Sequence, residues 1–264
     1  MGYVQPAFMV DHLANEAGIV GITTNVGGAL SDDGKRALID FQVGNFAMFD
    51  VSSAFHTVEY DFGVNASFNR VVIPAGHDMA GVDLAFPSAD NPSYTSPSSH
   101  GTLSPVLDGI IDFALTNTGV SHRYWRAAWG ATVGAWQLSQ IWWGWRTQLT
   151  AAAHVQPDWD FESETPTVSH DWGTRVSTLV LGPARRRFSL SVERIDPATA
   201  DYTILNTVAR TGATHPFYYW PPDTEDAGPF LVALDREARI RQGYSIPNKA
   251  IRYDFNFEFR EVVS

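Results

Sequence analysis

Strict alternation of apolar and polar residues over positions 251 to 259, IRYDFNFEF, constrains the fold more than any other feature. Because successive side chains of a strand point to opposite faces of a sheet, this pattern predicts a half-buried antiparallel strand. Its inward face is expected to consist of Ile251, Tyr253, Phe255, Phe257 and Phe259. TVEYDFG at 57–63 and RRFSLSVE at 186–193 repeat the alternation, so the chain is predicted to be mainly β.

Turn-forming clusters such as SDDG, NPSY and PPDTEDAGP separate these strands at the spacing of an all-β protein. One short helix is predicted near 198–210, where Ile204, Leu205 and Val208 form an apolar stripe that Gly212 can end. The rest of the chain is expected to form strands and turns.

Two domains are expected, an N-terminal β-sandwich at 1–155 and a second β-rich domain at 156–264. The boundary is placed within AAAHVQPDWDFESETP, residues 151–166, because small residues are followed there by an acidic stretch flanked by prolines. A length of 264 residues is ample for burying a core in each domain.

Composition narrows the possible partners. The formal net charge is −11, and a nucleic-acid-binding protein needs a basic face to neutralise phosphates, so nucleic acid is not an expected partner. The chain has no cysteine, which excludes disulfides and thiolate metal sites. No run of eighteen apolar residues occurs, so no membrane span is expected.

Six of the nine tryptophans lie within 21 residues, in the segments SHRYWRAAWG and WQLSQIWWGWR. They are Trp125, Trp129, Trp136, Trp142, Trp143 and Trp145. If both segments form strands, they carry aromatic side chains on both faces. A membrane-interface belt of tryptophans is not favoured, because no apolar membrane-spanning segment lies beside them. The block is interpreted mainly as core packing, with a stacking platform for sugars or bases left as an alternative.

Acidic residues recur at every second position after this block, at Asp158, Asp160, Glu162 and Glu164. A strand would project these four carboxylates to one side, which allows either a calcium site or a solvated edge or linker. The edge or linker is favoured, because a calcium site needs ligands from more than one segment, and edge charges discourage unwanted strand addition.

Candidate catalytic groups are sparse. His77 and Asp78 could form an acid–base pair with His56 or His100 nearby, but no segment supplies a nucleophile with an orienting partner, and no Gly-x-Ser-x-Gly elbow occurs. His77 is therefore interpreted as satisfying backbone groups in a glycine-rich turn. No catalytic, cofactor or metal-binding residues are assigned, and the protein is not expected to be an enzyme.

Short motifs within residues 10–150 follow the order of a known module. They are Asp40, Asp61 to Gly63, Ile73 to Met79, Ser88 to Asp90, Arg123 to Arg126, and Gln140 to Gly144. In this order they resemble the discoidin-like jelly-roll module of tail and tail-tip proteins of tailed bacteriophages, although Asp78, Ala127 and Gln140 replace the usual Asn, Leu and Glu. The resemblance implies a jelly-roll β-sandwich.

The remainder, 165–264, resembles the second β domain that follows this module in such proteins, through RRRFSLSVERI, HPFYYWPPD, FLVAL and FNFEFREV. This resemblance implies a structural component of a virion, in the tail tip or baseplate, made in the host cytoplasm. A homo-oligomeric ring that docks to other tail proteins is the implied assembly.

The aromatic segment HPFYYWPPD, 215–223, is predicted to be a rigid docking loop, because its prolines restrict an exposed aromatic run. Candidate interface residues are Phe217, Tyr218, Tyr219, Trp220, Arg185, Arg186 and Arg187. The alternative function is a carbohydrate-binding module for host surface glycans, using the discoidin-like loops or the same Tyr and Trp residues. A hydrolase is a third possibility.

Overall fold

A computed structural model describes residues 5–10, 21–24, 31–39, 47–49, 55–105, 109–130, 136–138, 140–151, 154–162, 185–222, 228–245 and 250–262. The strands are β1 (Ala7–Met9), β2 (Gly21–Thr24), β3 (Ala47–Phe49), β4 (Phe55–Ala66), β5 (Arg70–Ile73), β6 (Leu84–Ala89), β7 (Ser98–Leu103), β8 (Ile111–Ala114), β9 (His122–Gly130), β10 (Trp136–Leu138), β11 (Trp142–Gly144), β12 (Thr147–Gln148), β13 (His154–Glu162), β14 (Arg185–Ile195), β15 (Phe217–Trp220), β16 (Phe230–Leu234), β17 (Arg239–Ser245) and β18 (Ala250–Glu261). The helices are α1 (Asp32–Ala37) and α2 (Ala200–Thr211). The mainly β fold class is confirmed.

The chain forms two compact units. Residues 9–146 form the sandwich unit, and residues 1–8 join residues 147–263 in the composite unit. The composite unit is discontinuous because β1 pairs with β12, Ala7 lying opposite Gln148 and Phe8 opposite Thr147. The division thus falls at 146/147 rather than at the predicted 155/156, and the N-terminal strand belongs to the C-terminal unit.

The described strands of the sandwich unit form three sheets, in the orders β2-β4-β9-β6-β7, β11-β5-β8 and β10-β3. All three contribute fully buried side chains to one apolar core, among them Val58, Tyr60, Trp125, Val71, Ile73, Trp143, Ala47 and Leu138. The inward face predicted for TVEYDFG is confirmed, since Val58, Tyr60 and Phe62 are all buried. The predicted β-sandwich is therefore confirmed.

Trp125, Trp129 and Trp143 belong to this core cluster, whereas Trp142 is fully buried outside the cluster. Trp125, Trp129, Trp142 and Trp143 are each at most 1 % exposed, so these four confirm the packing interpretation. Trp136 lies in β10, but its side chain is outside the described part of the chain. Trp145 differs from the others, because 44 % of it is exposed.

The composite unit is built on one sheet in the order β12-β1-β15-β16-β18-β14-β13, with β17 also pairing with β18. In β18 the alternation is confirmed for Phe255, Phe257 and Phe259, which are buried. Ile251 is 40 % exposed, against expectation. The ring of Tyr202 in α2 packs on Tyr253 and Phe255, at centroid distances of 4.9 and 5.8 Å. Ile251 lies closer to the start of β18 than these two residues.

Helix α2 confirms the predicted helix. Thr199 caps its first turn by accepting a hydrogen bond from the Tyr202 amide, and Gly212 ends it by donating to the Val208 carbonyl. Asp201, which is 3 % exposed, anchors the first turn to the segment after β12. Its carboxylate accepts hydrogen bonds from the Thr150 amide (3.0 Å), the Thr150 hydroxyl (2.8 Å) and the Ala151 amide (2.8 Å).

Replacing Asp201 with Ala should lower the free energy of unfolding by about 1–3 kcal/mol, because three partly buried hydrogen bonds to a carboxylate are lost. D201N keeps one side-chain acceptor oxygen and should lose less. Chemical denaturation monitored by far-ultraviolet circular dichroism measures both losses. Equal stability of D201A and the parent would show that water replaces the carboxylate at no cost.

Helix α1 is a correction to the sequence analysis, which assigned SDDG to a turn. The Ser31 side chain accepts a hydrogen bond from the Gly34 amide, and Asp32 and Asp33 stand in the first turn, where carboxylates are favourable. A short helix results because Ala37 and Leu38 are buried at its end.

Candidate docking surface

The hairpin of β17 and β18 exposes apolar side chains on one face. Ile240 is 43 % exposed, Tyr244 70 % and Ile251 40 %, and these are half of the large hydrophobic residues found exposed in the described part of the chain. The register sets Tyr244 directly opposite Ile251 and Ile240 opposite Phe255, so all three exposed residues share a face. We call Ile240, Tyr244 and Ile251 the hairpin patch. Tyr244 and Ile251 are direct neighbours across the strand pair, whereas the exposed Gln242 separates Ile240 from Tyr244 along β17. Exposed apolar patches mark interaction sites more often than scattered single residues do.

The other face of this hairpin borders a polar groove of ≈ 630 Å³. Side chains that line it include Ser189, Ser191, Asn256, Glu237, Glu258, Arg236, Arg239 and Arg241. Arg236 approaches Glu258 at 3.7 Å. Arg239 and Arg241 are exposed, and within the described ranges neither forms an ion pair. Two arginines are therefore available to an anionic partner.

The aromatic segment that was predicted to dock is not exposed. Phe217, Tyr218 and Tyr219 are fully buried and Trp220 is 7 % exposed, because this segment is strand β15, which pairs with β16 inside the composite sheet. The predicted exposed loop is therefore wrong: its prolines flank a core strand. The same burial removes Tyr218, Tyr219 and Trp220 as a platform for glycans.

The arginine run is also engaged within its own unit. Arg187 lies 3.6 Å from Asp235, Arg186 lies 3.8 Å from Glu261, and the Arg186 guanidinium stands 4.7 Å from the centre of the Phe230 ring. Arg185 takes a register position opposite Glu162 in β13. A role of these arginines between subunits remains a prediction, but their described partners are internal.

Motif residues of the sandwich unit bind one another. Arg123 donates two hydrogen bonds to the Asp61 carboxylate, at 2.6 and 2.8 Å, and the Gly63 amide donates to the same carboxylate. The hydrogen bond from Arg123 holds the pKa of Asp61 below its ordinary value. Arg126 pairs with Glu59 at 2.7 Å and stacks 3.5 Å over the Tyr94 ring. These groups support the outer face of the sandwich.

His77 has the structural role that the sequence analysis favoured. Its Nε2 lies 2.6 Å from the Gly109 carbonyl and its Nδ1 accepts a hydrogen bond from the Met79 amide, so the ring bridges two loops. Asp78 binds elsewhere, accepting from the Gln137 amide at 3.1 Å. The two residues therefore do not form an acid–base pair.

A buried polar network joins Ser88, His100 and His122. The Ser88 hydroxyl lies 2.6 Å from His100 Nε2 and 2.8 Å from His122 Nδ1, and His100 Nδ1 lies 2.9 Å from the Thr116 carbonyl. One assignment of protons satisfies these contacts, with His100 Nδ1 donating to Thr116, Ser88 donating to His100, and His122 donating to Ser88. Asp90 approaches the other His122 nitrogen at 3.7 Å. Ser88 is fully buried, so this chain of groups offers no accessible nucleophile.

Acid should destabilise the sandwich unit through His100. Burial lowers the pKa of His100, so the folded state resists a proton that the unfolded chain accepts near pH 6.5. The contribution of neutral His100 to the free energy of unfolding is fully present above that pH. It should be lost progressively as the pH falls below it. Thermal unfolding between pH 7.5 and 5 measures the loss, and H100Q should reduce it. A parent protein with a constant melting temperature over this window would contradict the prediction.

Trp145 presents an exposed ring in a fixed orientation. Its Nε1–H donates to the Ser67 carbonyl at 2.6 Å. The Asn69 side chain binds the backbone of Arg146 twice, at 2.7 and 3.0 Å, and so holds the adjacent residue. An aromatic face held this way can stack on a flat ligand.

The hairpin patch was not predicted from the sequence. The signal was present in RIRQGYS, whose alternation of Arg239, Ile240 and Arg241 predicts an amphipathic strand. Among the described strands β13 ends the path of the composite sheet, whereas the side chains of Asp158, Asp160 and Glu162 and the whole of Glu164 lie outside the described residues, so the edge interpretation of these carboxylates stays a prediction. Within the described ranges, no cluster of three metal-ligating side chains and no helix long and apolar enough for a membrane span is found.

Comparison with known proteins returned structural likenesses only. No family model matches the chain, and no curated protein matches its sequence. A chitosan-binding module of a chitosanase/glucanase from Paenibacillus sp. IK-5 is 17 % identical, with a TM-score of 0.41 over 50 % of this chain and 98 % of that one. The CBM62 of Clostridium thermocellum Xyl5A is 16 % identical, with a TM-score of 0.37 over 46 % and 91 %.

The CBM32 of AlyQ, solved with 4,5-unsaturated mannuronic acid, is 15 % identical, with a TM-score of 0.37 over 51 % of this chain and 96 % of that one. Likenesses with identities and TM-scores this low do not transfer a function to the chain. None of these comparisons supports the resemblance to phage tail proteins that the sequence motifs suggested. The chain is similar to carbohydrate-binding modules over about half its length.

Proposed function

We propose that the protein is an assembly subunit, a structural component of a phage tail tip that docks to neighbouring chains through its composite unit. The hairpin patch carries this proposal, because it leaves Ile240, Tyr244 and Ile251 exposed on a strand pair whose other face offers two unpaired arginines. Covering such a surface with a protein partner is favourable, because it removes apolar area from water. Assignment to a tail tip rests on the order of the sequence motifs alone.

Labelling of virions tests this proposal. Antibodies raised against the purified chain should mark one end of the tail in particles of the phage that encodes it, and the chain should be detected by mass spectrometry of purified virions. Antibodies depleted by preincubation with the purified chain are the control. Virions that lack the chain would refute the structural role.

Carbohydrate binding by the sandwich unit is a second candidate, which Trp145 favours. Its ring is exposed and fixed by the hydrogen bond to Ser67, and sugars stack on aromatic faces of this kind. This function and assembly use different units and can coexist. The known modules named above are described as binding chitosan and mannuronic acid, which makes such sugars the first probes.

A glycan array that includes chitosan oligosaccharides tests binding. W145A should weaken binding about tenfold or more through loss of stacking, whereas V64A, which trims another exposed apolar residue of the same unit, should not. No binding by the parent, or equal binding by W145A, would reject the Trp145 site.

A further inference from the structure

The polar groove lies on the face of the composite sheet opposite the hairpin patch. Its floor crosses three paired strands, because Ser191 of β14 lies opposite Asn256 of β18, and Asn256 lies opposite Arg239 of β17. Ser189 and Glu258 form the next row of the same face. The groove has a volume of ≈ 630 Å³, within the range of about 300–1,000 Å³ that ligand pockets occupy.

Two arginines border this floor on the β17 side. Arg239 and Arg241 occupy alternate positions of the strand and both line the groove, with their Cα atoms about 7 Å apart. Both are exposed, and within the described ranges neither forms an ion pair. Asp254 lies opposite Arg241, but its carboxylate accepts a hydrogen bond from the Arg194 amide at 2.8 Å. Two guanidinium groups are therefore available to a ligand in the groove.

Hydroxyl, amide and carboxylate groups complete the lining. The Ser191 hydroxyl donates to Oδ1 of Asn256 at 2.8 Å, which leaves the Asn256 amide hydrogens available to another acceptor. Glu237 and Glu258 add acceptor oxygens, and Arg236 lies 3.7 Å from Glu258. The groove thus combines cationic donors, neutral donors and anionic acceptors.

This combination fits a ligand that carries single carboxylates among many hydroxyl groups. A carboxylate matches the planar fork of a guanidinium through two parallel hydrogen bonds. Hydroxyl groups can donate to Glu237 and Glu258 and accept from Asn256. Phosphate, with its denser charge, would be repelled by both glutamates, and the side chains of an acidic peptide offer these glutamates no donors.

We infer that the groove binds an acidic polysaccharide, with a uronate carboxylate held by Arg239 and Arg241 and sugar hydroxyls held by Asn256 and the two glutamates. The groove belongs to the composite unit and Trp145 to the sandwich unit, so the inference does not depend on the sugar site proposed there. It goes beyond the assembly function and leaves the hairpin patch, on the opposite face, to a protein partner.

Isothermal titration calorimetry of the full chain with trigalacturonic acid tests this site. The trimethyl ester of the same trisaccharide is the matched ligand, because it keeps the hydroxyl groups and loses the charges. The parent should bind the acid about tenfold or more tightly than the ester. R239Q/R241Q should remove most of this preference, whereas R36Q/R210Q, which removes the same charge from exposed arginines of the two helices, should retain it.

A substitution in the floor of the groove gives a second measurement. N256D keeps an acceptor for the Ser191 hydroxyl and replaces an amide donor with a carboxylate. It should therefore weaken binding of the acid more than binding of the ester. Circular dichroism checks that each variant is folded like the parent. Parental binding of both ligands by N256D would contradict the assigned floor.

Three results would overturn the inference: no binding of trigalacturonic acid by the parent, equal binding of acid and ester, or a parental preference in R239Q/R241Q. Inorganic phosphate or hexaglutamate competing as well as trigalacturonic acid would also overturn it, because the groove would then be a general anion site or a peptide site. W145A should bind trigalacturonic acid like the parent, and loss of binding in W145A alone would assign the sugar to the sandwich unit instead. None of these outcomes changes the result of labelling virions, so the groove and the assembly function fail separately.

Discussion

Replacing Trp143 with Ala should lower the free energy of unfolding of the sandwich unit by about 3–5 kcal/mol. Trp143 is fully buried in β11, and its ring contacts aromatic rings from several strands of the core. Centroid distances are 5.9 Å to Tyr60, 5.9 Å to Phe68, 5.8 Å to Phe86 and 5.6 Å to Trp125. Removing the indole leaves a cavity between packed strands, because the surrounding rings cannot all move inward.

Equilibrium denaturation followed by tryptophan fluorescence and circular dichroism measures this loss. W125A should behave similarly, since Trp125 is fully buried and contacts both Phe68 and His100. W145A is the matched control, because Trp145 is 44 % exposed and should lose much less. Unchanged stability in both W143A and W125A would refute the assignment of these residues to a packed core.

Replacing Phe8 with Ala should destabilise the composite unit by about 3–5 kcal/mol, although Phe8 is separated by more than a hundred residues from most of that unit. Its ring is 1 % exposed. Centroid distances are 6.3 Å to Phe217, 5.3 Å to Tyr219 and 6.2 Å to Phe259, so β1 contributes directly to the core of the sheet. The expected loss of stability is large because the substitution leaves a cavity in a packed core, whereas a substitution at a frayed chain end would have little effect.

Hydrogen exchange with peptide resolution separates the two units in this test. F8A should raise exchange in β15, β16 and β18, whereas F68A, which removes a buried ring of the sandwich core, should raise exchange in β4, β9 and β11. A stable F8A protein whose β15 amides exchange at the parental rate would show that the N-terminal strand is dispensable.

Local pattern was sufficient to predict several elements of this protein. Alternation predicted β4, β14 and most of β18, because a residue's face in a strand follows from its position alone. Thr199 and Gly212 bound α2 as local capping residues do, and the interpretation of the tryptophan block as mainly core packing holds for Trp125, Trp129, Trp142 and Trp143. His77 between glycines likewise indicated a turn whose backbone groups it satisfies.

Other features depend on which strands become neighbours, and no local pattern encodes that. The run from Phe217 to Trp220 fits an exposed docking segment or a core strand equally well, and only its place between β1 and β16 buries it. The N-terminal strand belongs to the composite unit because β12 and β15 flank it, a pairing between residues far apart in sequence. Among the described strands β17 pairs with β18 alone, and this accounts for the exposure of Ile251, Arg239 and Arg241. Sequence by itself determined which residues alternate and where the chain turns. The tertiary structure decided which strands are central and which are edges. Edge strands are where apolar and charged groups remain available to a partner.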